Sequence, residues 1–438
     1  MLKRLGPSVI RVGDAVSTAP FASKLEFNPP AHGVWNIVHV GMLVPEAHQI
    51  YVCAINCMRG VVLTAAEMGA SERFSCVVLK EEDIVRGTVE RVTLDGIRNV
   101  LHKLQDRGGL PPCAIVFPVC THHFLGVSMS RVYRELRSEF PTVDFVEAFM
   151  DPIMKRRLSP DQRLRKVMLD PIPELSPDDR LVACLGSDFS LDRDCELRSA
   201  LAMAELDLVE LQDCKSYEQY LALGKAATLL STYPNARFGV EKLAKRLGRR
   251  HLHLPSSFSY EEIGRAYEQL HDALGVPVPN AEDEVARCER SLAAAAELIG
   301  DAPIAIDASA HPRPLGLARL LRAQGFNVTE VYVDAVSDEE AKDLGWLRTH
   351  APEVELSSIV LPELRVSDRT RDQTTLAIGQ KAAWFTGTSH FVNLVEGGGL
   401  WGYAGIRTMA ELMRDAWRHP KDARDLVPRK GLGCASCF

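Results

Sequence analysis

The sequence predicts an α/β protein of three doubly wound, Rossmann-like parallel-sheet domains. Three observations carry this. Short β-branched runs alternate with longer amphipathic stretches, the pattern of parallel-sheet domains. The chain has 438 residues, and a single core rarely grows past about 250–300. The alternation also falls into three blocks, which set the expected boundaries at 1–163, 164–300 and 301–438.

In the first block, Val34–Met42 and Gln49–Ile55 read as strands, Met58–Met68 as a helix and Phe74–Leu79 as a strand. Val89–Gln105 carries an apolar stripe at Val92, Leu94, Ile97, Val100, Leu101 and Leu104, which makes it a helix with one buried face. Cys113–Val119 reads as a buried strand, Ser130–Phe140 as a helix and Val143–Phe149 as a closing strand. In the second block, strands are expected at Leu181–Leu185, Leu206–Leu211, Ala227–Thr232 and His251–Leu254. Helices are expected at Asp194–Ala204, Tyr217–Lys225, Gly239–Leu247 and Tyr260–Leu274. A linker at Val276–Glu282, with Pro277 and Pro279, precedes a helix at Asp283–Ile299. The third block offers strands Ile304–Ala308 and Val328–Val333, and helices Leu315–Gln324, Glu339–His350 and Ile406–Trp417. A glycine-rich segment spans Phe385 to Leu400.

Hydrophobic content of 46% and charged content of 25% are ordinary for a globular chain. The formal net charge of −7 argues against a nucleic-acid partner, which selects for a basic field. No apolar run approaches the roughly 18–20 residues that span a bilayer, and Met1–Gly13 lacks a signal-type apolar core. A cytoplasmic protein with no membrane partner is the expectation. Eleven cysteines, an odd number, then read as free thiols: mostly small buried hydrophobes, with a few ligands or reactive groups among them.

Ligands of parallel sheets bind at the carboxyl ends of strands. Cys57 follows the run Gln49–Ile55, and Cys120 follows Cys113–Val119, so both fall at such ends in one domain. Two thiols at one sheet mouth suit a metal or iron–sulfur site, and two unrelated buried thiols are the competing reading. Cys53 makes Cys-x3-Cys with Cys57, but an extended segment separates the two by about 13 Å at roughly 3.3 Å per residue. Cys53 therefore reads as sheet packing unless the segment turns. Cys76, Cys113, Cys184, Cys214 and Cys288 read as core or surface thiols. The terminal Cys434-x2-Cys437 is either a redox or ligand pair or a frayed end. Gly397-Gly398-Gly399, with Gly402 and Gly405, is either a backbone cradle or a tight turn. His122 and His123 are either proton donors or structural groups. No Gly-x4-Gly-Lys-Ser/Thr and no Gly-x-Gly-x2-Gly after the first strand are present, so neither ATP hydrolysis by this chain nor dinucleotide binding has support.

These pieces together resemble the nitrogenase component 1 family: molybdenum–iron protein subunits, cofactor-assembly scaffolds and nitrogenase-like reductases. Ala47-His48-Gln49-Ile50 through Ile55-Asn56-Cys57-Met58-Arg59-Gly60 is similar to the segment ending in the family's Ile-Gly-Cys turn. Leu79 through Gly87 is similar to its acidic Asp-Val/Ile-Val-x-Gly stretch. Val119-Cys120-Thr121 through Gly126 is similar to its third cysteine segment, and Thr386-Gly387-Thr388 with Gly397–Gly405 to its third domain. The resemblance covers nearly the whole chain. It implies an iron–sulfur cluster, [4Fe-4S] or P-cluster-like, shared with a homologous subunit in a dimer or heterotetramer. Electrons would come from a separate P-loop, ATP-hydrolysing iron protein. It assigns Cys57 and Cys120 to the second and third cluster ligands. Around His32, where the family's first ligand falls, there is no cysteine, which implies either a substitute ligand, Cys53 or a partner residue, or an altered cluster. The family's active-site cofactor ligands fall at Thr232 and near Leu400 and Trp401, where neither a cysteine nor a histidine stands. The resemblance therefore implies a β-type, scaffold-type or nitrogenase-like reductase subunit. A non-catalytic scaffold and a cluster-free small-molecule binder are the alternatives.

Overall fold

The structure is a computed structural model that describes residues 8–21, 37–151, 158–333, 335–365 and 374–422. The segment around His32 and the pair Cys434 and Cys437 lie outside them. Fourteen strands are named in chain order among the described residues: β1 Val9–Arg11, β2 His48–Cys53, β3 Phe74–Val78, β4 Cys113–Pro118, β5 Asp144–Glu147, β6 Asp178–Cys184 and β7 Asp207–Glu210; then β8 Ala226–Ser231, β9 Arg250–His253, β10 Ile304–Asp307, β11 Val328–Val333, β12 Glu355–Ser358, β13 Leu376–Ile378 and β14 Phe391–Val392. They form three sheets, ordered β3-β2-β4-β5, β7-β6-β8-β9 and β1-β12-β11-β10-β13-β14. Every pairing is parallel except that of β1, which runs antiparallel to β12 on the edge of the third sheet.

The central strands explain the parallel class. All six residues of β2 and all six of β4 are buried, as a strand covered by helices on both faces requires. Successive side chains of a strand point to opposite faces, so each strand feeds two cores. Ile50 and Val52 pack with Ile97, Leu101 and Leu136 on one face. Tyr51 and Cys53 face the other, where Tyr51 stacks on Phe117 with ring centroids 4.3 Å apart. That second core continues into the second sheet through Ala183 and Leu229. The opposite face of the second sheet, Val182, Cys184 and Leu230, joins the core of the third at Ile304 and Ile306.

Helix starts follow their capping residues. Ser159 accepts from the Gln162 amide while the Gln162 side chain bonds back to the Ser159 N–H, with Pro160 in the first turn. The Asn280 side chain accepts from the amides of Glu282 and Asp283, so the expected helix at Asp283 starts earlier, at Ala281.

One expected strand is corrected. Within Val34–Met42 the structure forms a helix, Ile37–Met42, with residues 37–41 buried. A short run that is apolar on every side has no period to separate strand from helix. Here the side-chain amide of Gln49 donates to the free Val38 carbonyl, and the helix packs beside helix Pro160–Val167.

At the carboxyl end of β6, Arg165 is wholly buried between Asp161 and Asp188, with Nε 3.1 Å and Nη2 3.0 Å from their carboxylates. Its guanidinium also lies 4.5 Å from the centre of the Tyr233 ring. Removing one member of such a set leaves the others charged and unpaired in the interior. Arg165→Ala should cost about 3–5 kcal/mol of folding stability, read as a lowered denaturation midpoint, while exposed Arg131→Ala should leave it nearly unchanged.

Candidate functional site

In the first sheet the chain goes from β2 to β3 on one side and later inserts β4 on the other side of β2. The two crossovers therefore diverge between β2 and β4, and a crevice opens at their carboxyl ends. Both candidate thiols stand at this point. The chain turns at Ala54, which is extended, and enters helix Ile55–Glu67, so Cys57 lies in the first helical turn with its amide 2.9 Å from the Ala54 carbonyl. The Cys57 side chain is exposed. Val119 plays the same part after β4 and opens the short helix Cys120–Phe124, where Cys120 is half-buried. Burial raises the Cys120 thiol above its ordinary range, and the neighbouring Cys57 and Asp151 add to the shift, so the two thiols lie within electrostatic reach of each other.

Cys53 is placed differently. It ends β2 fully buried, and burial, with Cys76 and Cys57 adding to it, pushes its thiol up to about 12. It packs in the core beside Tyr51. Cys76 is partly buried against the same core, and Cys113, Cys184 and Cys288 are buried within it or its neighbour. All nine cysteines among the described residues are free thiols.

The two histidines after Cys120 part company. His122 is buried, its Nε2 is 2.9 Å from Thr93 Oγ1, and its Nδ1 accepts from the Val119 amide. Burial pushes it down to about 4, which favours the neutral ring that caps this helix start. His123 reaches the rim, with Nδ1 3.2 Å from the buried Asp151 carboxylate and its ring edge-on to Phe149.

Exposed apolar side chains stand on the elements at and after these strand ends. Ile55, Val62 and Leu63 follow β2, Val78, Ile84 and Val85 end or follow β3, and Phe124 and Leu125 follow β4. All are exposed, Val85 to 81% and Ile55 and Phe124 to 70%. Among the described residues no group of three or more His, Cys, Asp or Glu side chains converges as a metal site. The chain thus brings two thiols, not a full ligand set, to this mouth.

The second and third sheets have their own switch points, between β6 and β8 and between β10 and β13, and these face each other. Their crevice is nearly filled. A cavity of about 20 Å³ remains, lined by Thr232, Tyr233, Ser256, His311 and Glu396, room for about one water. The Tyr233 hydroxyl donates to the buried Glu396 carboxylate. His311 accepts from the Arg313 amide and reaches Ser256 Oγ at 3.0 Å, and Ser256 donates to the Leu400 carbonyl. Phe189, Leu191, Pro312 and Leu400 complete the lining with apolar surface and no thiol stands in it, so these residues do not supply the soft donors of a large metal cofactor. The glycines beside it form the tight turn. Gly397, Gly398 and Gly399 all have positive φ, and a Cβ on Gly399 would stand 1.9 Å from the Ser190 carbonyl oxygen.

No family model matches the sequence, and no curated protein matches it. Solved structures do match the fold. One, described as "Nitrogenase Cp1 at pH 6.5", superposes with a TM-score of 0.64 at 12% identity, covering 92% of this chain and 96% of that one. Another, "Nitrogenase Cp1 at pH 5", gives 0.60 at 12% identity, covering 94% of each. The three-domain α/β architecture is that of nitrogenase component 1 structures. No helix among the described residues is long and apolar enough to cross a membrane.

Two buried histidines away from the thiols give the fold a pH dependence. Burial pushes His48 down to about 4, with Arg73 adding to it, and His311 down to about 3. Each folded value lies below the ordinary 6.5, so the unfolded chain binds more protons between the two. Their contribution is complete above about pH 6.5 and is lost as pH falls toward 4. Denaturation midpoints should drop steadily across that window, and His48→Asn should shallow the slope.

Proposed function

We propose that this chain is a nitrogenase-like oxidoreductase subunit that shares an iron–sulfur cluster with a second, homologous subunit. The observation that carries the reading is the pair Cys57 and Cys120, on helix starts at one switch point, with exposed apolar side chains on the adjoining elements. Monomeric proteins rarely leave such a surface uncovered. The donor set fits the cofactor in kind, because thiolates are the ligands of iron–sulfur clusters, and in number only if a partner completes it. Bound here, a cluster would supply one-electron transfer. Cys57 and Cys120 hold it from one side. Ile55, Phe124 and Leu125 exclude water once a partner covers them, which lowers the local dielectric around the thiolates. Asp151 orients His123 at the edge of the same site. Cys53 stays in the core in this reading, although the substitute-ligand role was its other possibility.

In this reading, residues 1–163 form the cluster-bearing domain. A separate ATP-hydrolysing iron protein delivers the electrons, since the chain has no phosphate-binding loop of its own. The nearly filled crevice between the second and third sheets argues that this chain is not the subunit that carries a large second cofactor.

Anaerobic co-purification with the partner, followed by iron and acid-labile sulfide analysis, tests the assignment. Wild type should carry a cluster's worth of both. Cys57→Ala and Cys120→Ala should each lose most of the iron while keeping the far-ultraviolet spectrum of the folded chain. Full iron in both variants sinks the ligand assignment. ATP-dependent substrate reduction with an iron protein marks the oxidoreductase. A loaded complex without it marks an assembly scaffold.

A further inference from the structure

A second cavity, of about 670 Å³, lies on the far side of the second sheet's edge strand β9, bounded by helices Arg237–Leu247 and Tyr260–Leu274 and by Arg313 and Glu339 of the third domain. Its wall holds an ordered chain of hydrogen bonds. Glu339 Oε1 is 3.1 Å from His253 Nε2, His253 Nδ1 is 2.9 Å from Ser231 Oγ, and Ser231 Oγ is 2.9 Å from His251 Nε2. His251 and His253 are two residues apart on β9 and so share a face.

A hydroxyl has one hydrogen, so Ser231 can donate to only one of its two imidazoles. With His253 as the neutral ring, the Glu339 carboxylate accepts from its Nε2–H, which leaves Nδ1 as an acceptor. Ser231 then donates to His253 and accepts from His251 Nε2–H. The chain fixes the tautomer of His251 and leaves its Nδ1 a bare lone pair. That atom has no hydrogen-bond partner among the described residues and is not among the buried unpartnered atoms, so it opens on the cavity. Burial pushes His251 down to about 4, in keeping with a neutral ring.

The charges around this atom divide in two. Arg313 is taken up by Glu262 at 2.6 Å and Asp343 at 3.1 Å, and Glu339 by His253. Arg265 makes only a 3.6 Å solvent-exposed contact with Glu261, worth little. Arg237 and Glu241, one turn apart on their helix, make no ion pair among the described residues, and both act electrostatically on His251. What remains uncommitted is a donor pair, Arg237 and Arg265, and an acceptor pair, Glu241 and His251 Nδ1. A lone anion would answer the first and meet repulsion from Glu241. A lone amine would do the reverse.

We propose that this cavity binds a small zwitterion of the amino-acid type, its carboxylate on Arg237 and Arg265 and its ammonium on Glu241 and His251 Nδ1. Ser231, His253 and Glu339 are positioning residues that hold the acceptor nitrogen toward it. The site is separate from the thiols and does not rest on the cluster reading.

The test uses the full chain labelled with ¹³C,¹⁵N-histidine. Glycine and L-leucine are titrated in turn, with acetate and methylamine as the half-ligands. At least one zwitterion should shift the His251 ring resonances saturably, and each half-ligand should bind at least tenfold more weakly. Arg237→Gln and Glu241→Gln, both at exposed positions that leave the fold intact, should each weaken the zwitterion about tenfold. Ser231→Ala should change the His251 nitrogen pattern before any ligand is added, because its tautomer is released. The proposal is overturned if neither zwitterion shifts His251, if a half-ligand matches the zwitterion, or if Ser231→Ala leaves the ring nitrogens unchanged.

Discussion

The rest of the molecule depends on the two-sided packing of the second sheet. Alternate residues of β6 and β8 belong to different cores: Ala183 and Leu229 to one shared with the first sheet, Val182 and Leu230 to one shared with the third. A strand's side-chain period of two makes this arrangement unforgiving, because a one-residue slip would exchange both cores at once. The register of the central sheet therefore fixes where its neighbours sit. Arg165, wedged at its carboxyl end between Asp161 and Asp188 and against Tyr233, locks the same place with charge. Burying that set has a large desolvation cost, so its value lies in geometry more than in net stability.

This packing decides which sheet mouths can work as sites. The second and third mouths face each other across the shared core, and Glu396, Tyr233 and His311 fill the gap to about 20 Å³. Among the described residues, no other sheet packs across the first mouth. Its strand ends carry thiols and uncovered apolar side chains where the other two carry a closed polar network. Exposed Ile55 and Phe124 gain nothing from solvent, and in the proposed reading a partner subunit covers them. Another opening lies at an edge of the middle sheet, where β9 presents His251 and His253 between the second and third domains.

Much of this was legible in the sequence, for a physical reason. Buried parallel strands are continuous apolar runs, so β2 and β4 stand out, and amphipathic helices such as 89–107 declare themselves by their stripe. The choice of Cys57 over Cys53 rested on strand-end position and on an extended segment between them, but the chain turns at Ala54 into a helix, so it is burial and not distance that sets Cys53 apart. What escaped was decided by tertiary context. Ile37–Met42 is apolar all round and has no period to read. The edge strand β1 and the two-residue β14 are too short to carry a pattern. The His251–His253 pair did leave a signal, since His-x-His on a strand puts both rings on one face, but its third member Ser231 comes from the neighbouring strand.

Likeness of fold and likeness of chemistry separate here. At 12% identity, a superposition covering more than nine-tenths of both chains says that the backbone path is kept, because many sequences satisfy the same layer packing. It says nothing of the groups placed on that path. Those must be judged position by position, and they point in different directions. At the first mouth the soft donors are present, in the two places where a helix start lifts them out of the sheet. At the second, the pocket has no thiol in its lining, and the Tyr233 hydroxyl donates to the buried Glu396 carboxylate there. A chain that had simply lost all metal chemistry would have no reason to keep Cys57 exposed beside exposed apolar side chains while burying Cys53, Cys113 and Cys184. The contrast between an open, thiol-bearing mouth and a closed, thiol-free one, on one shared framework, is what makes an interface cluster the reading that the residues themselves favour.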